Sequence, residues 1–311
     1  MNGLSLSREY LQRALPSLRE QFPREYARMA AGLAGNGSEC FGYDDEISRD
    51  HDWGVDFFLW VSEQDRDSAG AIGDWKLRFL ETHPPSFPRT RSEYGARVGV
   101  MTAGDFYRSL IGVPGCPRTL DEWRRVPEEN LAMAVNGEVF FDNAGEFTAP
   151  REALLKFYPD DLRLKRLSYR CMALAQTGQY NFDRVAKRRD WVTVRTVLSR
   201  FTDSAIAAVF LLNRRYRPYY KWAFRAMTEL PILGGKAGEI LTRAALTPGF
   251  DAPRLETLRA DLEALCALVA AELRRQGLSR SDDEFLTAQG EELRAQISDE
   301  LLRSLPAQYE I

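Results

Sequence analysis

The chain has 311 residues, of which 44% are hydrophobic and 28% are charged. These values predict a folded protein of one large or two ordinary domains, and they exclude disorder over most of the length. No apolar run approaches the roughly 20 residues of a membrane span, so we expect a cytoplasmic protein without a signal peptide or membrane contact. Four scattered cysteines and only two histidines predict neither a zinc ribbon, a disulfide framework nor a histidine-rich metal site.

The net charge of −3 hides an uneven distribution along the chain. Residues 1–150 carry −8, residues 151–236 carry +11, and residues 237–311 carry −6. An acidic first half beside a basic segment is typical of a cleft that holds an anion together with divalent cations. Charge asymmetry alone, however, favours the simpler alternative of solvated helix faces.

The hydrophobic pattern of the first half predicts a mixture of helices and short strands. In chain order we expect helices at 7–14 and 24–33 punctuated by Pro16 and Pro23, a strand at 55–61, a helix at 74–81, a strand at 97–102, a helix to Leu110 capped by Asp105, and a strand at 138–141.

The pattern changes near residue 150, where helical spacing takes over. Helices are predicted at 163–177, 192–212 and 255–269, with Gly277 as a stop. The fold class is therefore predicted as α+β, with a small mixed sheet and flanking helices in residues 1–150 and a helical bundle in residues 151–311.

One segment, residues 37–54, carries recognisable chemistry. The turn Gly37-Ser38 is followed, after eleven residues, by Asp50-His51-Asp52. If this stretch opens a strand, Asp50 and Asp52 share a face about 6–7 Å apart at their Cα atoms, while His51 packs on the other face. Two carboxylates at this spacing suit Mg²⁺. A Gly-Ser turn lets backbone amides and a hydroxyl approach a phosphate.

This pattern resembles the active-site signature of the DNA polymerase β-like nucleotidyltransferase superfamily, which includes kanamycin nucleotidyltransferase and the minimal nucleotidyltransferases. Residues 48–54 look like one branch of it that is described as a domain of unknown function. Further matches to that branch lie at 137–140, 178–181, 211–213 and 218–222. The resemblance implies a nucleotidyltransferase sheet in the first domain, followed by a helical domain that completes a nucleotide cleft. It implies that Asp50 and Asp52 are catalytic and hold the metal, and that Gly37 and Ser38 contact the nucleotide.

The chain departs from this family pattern in one respect. Active members usually have a third carboxylate on a neighbouring strand, but residues 97–102 carry no acid. Asp56 lies about 13 Å beyond Asp52 along a strand, which is too far for a shared two-metal site. Glu138 and Asp142 flank the third strand, although a turn or cap role is the simpler interpretation of both. Asp44 and Asp45 are interpreted as surface turn acids.

The second half supplies further candidates for nucleotide binding. Lys165 lies on its first helix, where polymerase β-like enzymes with a helical domain often place a lysine against the triphosphate. Tyr180 and Asn181 follow a glycine and are candidates for contact with a base or ribose, or for capping the next helix. Lys221 and Arg225 share a helix face, where they clamp an anion or pair with interface acids.

Motifs of other enzyme classes are absent: there is no GxxxxGK[ST], GxSxG or GxGxxG sequence. We therefore expect a Mg²⁺-dependent nucleotidyltransferase that moves a nucleoside monophosphate from an NTP to a hydroxyl acceptor, a small molecule. Two alternatives remain open: a weak or inactive nucleotide-binding module of the same fold, and an enzyme of toxin–antitoxin type that modifies a protein or an RNA end. Nucleic acid is not the expected partner, and the sequence does not indicate the acceptor, the NTP or the oligomeric state.

Overall fold

The computed structural model of the chain describes residues 2–49, 53–89 and 98–309. The chain folds into two compact units, and the boundary falls between Lys156 and Phe157. The described strands belong to the first unit, and the second is built of helices. The predicted α+β class is confirmed.

The first unit alternates helices with short strands. In chain order these are α1 (Gly3–Gln21), α2 (Pro23–Tyr26), β1 (Ala30–Leu33), β2 (Phe58–Val61), α3 (Ala69–Thr82), β3 (Val100–Thr102), α4 (Ala103–Ile111), α5 (Leu120–Arg124), α6 (Glu128–Val135), β4 (Glu138–Asp142) and α7 (Thr148–Leu155). Short 3₁₀ helices lie at Glu39–Phe41, Ile47–Arg49 and Glu63–Ser68.

The strands form one mixed sheet in the order β3-β2-β1-β4. Strand β1 is antiparallel to both of its neighbours, with Gly32 opposite Phe58 of β2. On the other side, Leu33 lies opposite Glu138 of β4. Strand β3 runs parallel to β2. Because of this antiparallel arrangement, the end of β1 lies at the same edge of the sheet as the beginnings of β2 and β4.

Strand β2 is buried on both faces, which explains its continuous apolar sequence. Leu59 belongs to a core shared with α1 and α3. Phe58 and Trp60 face the other side, where they join an aromatic cluster with Phe106 and Phe147. The sheet is therefore held between two apolar layers, which fixes its edge relative to the surrounding helices.

The prediction of a helix over residues 24–33 is wrong in its second half. Helix α2 ends at Tyr26, and Ala30–Leu33 form the strand β1. Alanine favours a helix locally, but a Cβ at Gly32 would stand 2.9 Å from the Trp60 ring of the neighbouring strand. Close packing between strands thus overrides local propensity. Helix α1 also continues through Pro16, where a stop was expected.

The other predictions for the first unit are confirmed with one correction. The strands predicted at 55–61 and 97–102 contain β2 and β3, although Arg97 lies outside the described residues. Strand β4 extends the strand predicted at 138–141 by one residue, to Asp142, and α3 contains the helix at 74–81. Helix α4 is capped by Thr102, whose hydroxyl accepts a hydrogen bond from the Asp105 amide at 3.1 Å. Asp105 does not cap the helix; it pairs with Arg66 and Arg108.

The second unit contains α8 (Asp160–Leu174), α9 (Phe182–Lys187), α10 (Trp191–Leu212), α11 (Tyr220–Thr228), α12 (Gly234–Ala245), α13 (Ala252–Arg275), α14 (Leu286–Ala295) and α15 (Glu300–Ser304). The predicted helices at 192–212 and 255–269 are confirmed within α10 and α13. None of the described helices combines the length and the apolar character that crossing a membrane requires.

The predicted helix at 163–177 ends in an unusual way. After Leu174 the chain forms a π-helical segment, Ala175–Asn181, in which the amide of Phe182 bonds to the Thr177 carbonyl. A Cβ at Gly178 would stand 2.7 Å from a Phe201 ring atom of α10. Only glycine allows this approach. Such widened turns recur at functional sites.

Candidate functional site

The Gly-Ser turn directly follows the central strand of the sheet. Strand β1 ends at Leu33, and Gly35 and Gly37 adopt φ angles of +97° and +132°, which glycine alone adopts readily. Ser38 then leads into the short helix Glu39–Phe41. The turn therefore lies at the edge of the sheet where β2 and β4 begin.

Asn136 holds the turn in place from the side of β4. Its carboxamide oxygen accepts from the Gly35 amide, and its carboxamide nitrogen donates to the Gly35 carbonyl, both at 2.8 Å. The amide of Gly137 donates to the Cys40 carbonyl at 2.7 Å. Arg151 donates to the carbonyls of Asn136 and Gly137. The segment before β4 is thus bonded to both ends of the Gly-Ser turn.

Arg89 links the Gly-Ser turn to the segment that leads into β2. Its guanidinium donates to the carboxylate of Glu39 and to the carbonyl of Gly54, the latter at 3.1 Å. The side chains of Glu39 and Arg89 are both buried. Gly54 has a φ of +149°, and a Cβ there would overlap the backbone of Arg89. One buried cation therefore fixes the residues on either side of the predicted metal-binding motif.

The predicted catalytic and metal-binding residues, Asp50 and Asp52, lie outside the described residues, as does His51. Trp53, which follows them, donates from its indole nitrogen to the Asp44 carboxylate at 3.2 Å. Asp44 also accepts from the Gly3 amide at 2.8 Å. Asp44 is therefore a structural link between the start of α1 and the approach to β2, and its interpretation as a surface turn acid is corrected.

The two acids at the ends of β4 have structural partners. Glu138 lies opposite Leu33, at the same edge as the Gly-Ser turn, and pairs with Arg8. Asp142 lies at the other end of β4 and accepts from three backbone amides, those of Gly145, Phe147 and Thr148. The turn and cap role expected for Asp142 is confirmed, and its place in the strand separates it from the Gly-Ser turn.

Within residues 2–49, 53–89 and 98–309, no group of three His, Cys, Asp or Glu side chains is placed to hold a metal ion. Asp56 is occupied in a buried ion pair with Lys76 at 2.7 Å. At Glu39, however, the oxygen Oε2 is buried and has no hydrogen-bond partner in the described part of the chain. A cation satisfies such an orphaned carboxylate oxygen. Mg²⁺ prefers such hard oxygen ligands, but the Glu39 carboxylate is already paired with Arg89, so a metal ion beside the turn stays a prediction.

Burial determines the protonation state of Cys40, which lies two residues after Ser38. Desolvation raises the pKa of its thiol well above the ordinary value, and the neighbouring Glu39 acts in the same direction. The thiol therefore stays protonated at neutral pH, which argues against a nucleophilic role.

In the second unit, the structure gives Lys165 a structural role. Lys165 is fully buried, and its ammonium donates to the carbonyls of Leu305 and Pro306 at 3.2 and 2.5 Å. Burial also lowers its pKa. A triphosphate would have to displace both carbonyls to reach this ammonium. We therefore correct the expected phosphate contact: Lys165 anchors the C-terminal segment to α8.

The remaining nucleotide-binding candidates are more accessible. Tyr180 and Asn181 end the π-helical segment, and Tyr180 is 47% exposed, with the Arg184 guanidinium 3.9 Å from its ring centroid. Lys221 and Arg225 are exposed one turn apart on α11, as their spacing predicts. That these four residues contact a nucleotide stays a prediction.

The sequence pattern does not identify the residues that hold the turn. Asn136-Gly137 is a turn signal, but nothing in it indicates a partner 101 positions earlier. Likewise, Arg89 stands 50 positions from Glu39 and belongs to no motif. Residues so far apart in the chain are brought together only by the tertiary fold.

Comparisons with known proteins give one partial family match. A family model described as "Domain of unknown function (DUF4037)" matches residues 123–223, about a third of the chain. The match includes the stretches at 178–181 and 218–222 but not the Gly-Ser turn or Asp50 and Asp52.

Among solved structures, the chain is similar to a nucleotidyltransferase-like protein from Exiguobacterium sibiricum. The two share 13% identity over 86% of this chain and 81% of that one, with a TM-score of 0.37. This score is too low to establish a shared fold. No curated protein matches the chain.

Proposed function

We propose that the chain is a Mg²⁺-dependent nucleotidyltransferase that moves a nucleoside monophosphate from an NTP to a hydroxyl group of a small molecule. The observation that carries the proposal is the Gly-Ser turn, held from two sides at the sheet edge where β2 begins. Asp52 precedes β2 by six residues in the chain. The first half of the motif therefore follows β1, and its second half precedes, in the chain, the strand that pairs antiparallel with β1.

In the proposed reaction, the acceptor oxygen forms a bond to the α-phosphorus of the NTP. The bond from that phosphorus to the oxygen bridging to the β-phosphate breaks, pyrophosphate leaves, and the hydroxyl proton passes to a base. Asp50 and Asp52 would hold Mg²⁺, which supplies neutralisation of the phosphate charge when bound. Ser38 and the backbone amides of the turn, with Gly37 allowing close approach, would hold the outer phosphates.

Further candidates for contact with the nucleotide lie in the basic segment 151–236. An NTP with one Mg²⁺ keeps a net negative charge, and residues 151–236 carry +11. Lys221 and Arg225 are exposed, so they are the candidates for the phosphates. Tyr180 and Asn181 are the candidates for the base or the ribose. Lys165 is no longer among them because its ammonium is already bound by two carbonyls.

A second candidate function is a nucleotide-binding module that transfers slowly or not at all. One observation favours it: both acids proposed as a third carboxylate are engaged, Glu138 with Arg8 and Asp142 with backbone amides. A site with no free carboxylate to accept the hydroxyl proton would bind Mg-NTP without efficient turnover.

Thermal unfolding with Mg²⁺ and each of the four NTPs tests nucleotide binding. A ligand selective for the folded state adds about 2.7 kcal/mol of stability at a hundredfold excess over Kd. The double variant Asp50→Asn/Asp52→Asn should lose most of this shift. The control Asp67→Asn/Asp74→Asn removes the same amount of charge from exposed positions of the same unit, and it should keep the thermal shift. Equal shifts in all three proteins would refute the metal role of Asp50 and Asp52.

Turnover distinguishes the two candidates. The wild type is incubated with Mg²⁺, α-labelled NTPs and a cell extract. Pyrophosphate release is measured, and the label is assigned to the small-molecule, protein or RNA fraction of the extract. Label in a small-molecule product supports the transferase, whereas a thermal shift without pyrophosphate release supports the binding module. Label in the protein or RNA fraction would replace the small acceptor with a macromolecular one.

A further inference from the structure

A cavity of about 500 Å³ is lined by residues of the second unit. Its walls come from α8, the π-helical segment, the start of α14 and the C-terminal segment. Its volume lies within the range typical of small-molecule sites. The described lining contains no charged side chain. It includes three aromatic rings, two carboxamides and one aliphatic hydroxyl, those of Tyr169, Tyr180, Phe285, Gln176, Gln308 and Thr287.

Hydrogen bonds hold these walls at fixed positions. Gln179 of the π-helical segment accepts from the Leu286 amide at 3.0 Å, at the first residue of α14. The Ser168 hydroxyl of α8 donates to the Gly290 carbonyl of α14 at 2.7 Å. Lys165 ties the segment that carries Gln308 to α8 through two carbonyls. A cavity with fixed walls costs a ligand less ordering than a flexible surface does.

Three polar side chains of the cavity lining, Gln176, Thr287 and Gln308, make no hydrogen bond within the described part of the chain. Four glutamines elsewhere in this unit use their carboxamides in hydrogen bonds: Gln179, Gln276, Gln289 and Gln296. By contrast, the carboxamides of Gln176 and Gln308 and the hydroxyl of Thr287 are not used in this way with any described residue. Each of these three groups both donates and accepts, so together they can recognise a ligand edge of mixed polarity.

Tyr180 provides the aromatic surface. It lies one residue before the end of the π-helical segment, and the widened turn places it beside Gln176 in the cavity lining. The guanidinium of Arg184, one turn later, lies over the Tyr180 ring and restricts its orientation. A half-exposed ring fixed in this way is suited to stacking with a planar ligand.

We propose that this cavity binds an uncharged planar heteroaromatic ring that carries hydrogen-bonding groups on its edge, the chemistry of a nucleobase. Aromatic faces stack with such a ring, and carboxamides pair with its donors and acceptors. A triphosphate would meet no cation among the described lining residues. The proposal rests on the proposed function only in that it extends the base contact of Tyr180, and nucleoside binding without Mg²⁺ tests it separately from metal binding and transfer.

Calorimetric titration of the full chain with adenosine, guanosine, cytidine and uridine, without Mg²⁺, tests the proposal. At least one nucleoside should bind with a Kd of about 1 mM or tighter. Tyr180→Ala should weaken its binding about tenfold or more, because stacking on one aromatic side chain contributes that much per base. Tyr180→Phe keeps the ring and should keep most of the affinity. Gln176→Ala should reduce the discrimination between nucleosides.

Tyr220→Ala is the matched control, because Tyr220 is a 77% exposed tyrosine of the same unit outside the cavity lining. It should bind like wild type, and circular dichroism verifies that each variant is folded. Asp50→Asn/Asp52→Asn should also keep nucleoside binding, which separates this proposal from the metal-dependent one. Absence of binding by all four nucleosides, or equal affinity in wild type and Tyr180→Ala, would overturn the proposal.

Discussion

The carboxamide of Asn136 forms a two-way pair with the backbone of Gly35, and each of the two hydrogen bonds is 2.8 Å long. A carboxamide carries a donor and an acceptor side by side, so it satisfies the amide and the carbonyl of one residue together. Gly35 stands two residues before Gly37 and three before Ser38. The pair therefore sets the position of the Gly-Ser turn relative to β4.

Asn136→Ala should lower the free energy of unfolding by about 1–3 kcal/mol, since it leaves two backbone groups of Gly35 without partners. It should also reduce the stabilisation by Mg-NTP, because the turn is released on one side. Asn143→Ala is the control: the side chain of Asn143 makes a single hydrogen bond, to the Tyr26 carbonyl at 2.7 Å, near the other end of β1. It should leave the Mg-NTP shift unchanged. A full shift in Asn136→Ala would separate this pair from nucleotide binding.

The buried ion pair between Lys76 and Asp56 should be sensitive to removal of one partner. Lys76 also donates to the Phe57 carbonyl at 2.6 Å. Lys76→Met therefore removes the donor to this carbonyl and leaves the buried Asp56 carboxylate without a counter-charge, with the hydrogen bond from the Phe57 amide remaining. We expect a loss of about 3–5 kcal/mol in chemical unfolding. The double variant Asp56→Leu/Lys76→Met should lose less than the sum of the single variants.

The exposed pair of Arg124 and Asp121 provides the comparison for the Lys76 prediction. Arg124→Met should change the stability by less than about 1 kcal/mol, because solvent screens this pair. Similar losses in Lys76→Met and Arg124→Met would show that burial does not determine the contribution of the first pair.

Gly178 is required by the close approach of Phe201. Gly178→Ala should destabilise the second unit by about 1–3 kcal/mol, since the Phe201 ring must move away from the new methyl group. Gly73→Ala is the matched control within α3, where a Cβ meets no atom within 4 Å. It should stabilise the chain by about 0.5–1 kcal/mol through helix propensity. Thermal unfolding measures both, and a neutral Gly178→Ala would contradict the packing.

Deprotonation of the Tyr10 hydroxyl should lower the free energy of unfolding at high pH. This hydroxyl donates to the His83 carbonyl at 2.9 Å, and burial, assisted by Asp56, raises its pKa to about 12. The folded state thus keeps a proton that the unfolded state loses near pH 10. The stabilising contribution is complete below pH 10 and is lost as the pH rises to about 12.

The loss should be at most about 2–3 kcal/mol, because one pKa unit corresponds to about 1.4 kcal/mol. Unfolding free energies of wild type and Tyr10→Phe are compared between pH 9 and pH 12. Tyr10→Phe has no phenol to titrate there, so the difference between the two proteins should shrink as the pH rises. A constant difference would show that Tyr10 titrates normally in the folded state.

Several features followed from the sequence because their causes are local. Helices α10 and α13 follow from apolar residues at helical spacing, and β2 follows from a short aromatic and β-branched run. The Gly-Ser turn follows from glycines that alone adopt positive φ readily. The metal-binding role of Asp50 and Asp52 rests on the sequence alone.

Only the tertiary structure decided the partners of the polar residues. Residues 30–33, helical by propensity, form an interior strand because they pair with β2 on one side and β4 on the other. Lys165, a phosphate-binding candidate by position, is buried against carbonyls 140 positions away. Glu39 and Arg89 form a buried pair that no motif marks. The sequence determined periodicity and turn chemistry, which depend on adjacent residues. The structure decided which charges are paired or accessible, because electrostatic interactions depend on distance in space and on burial.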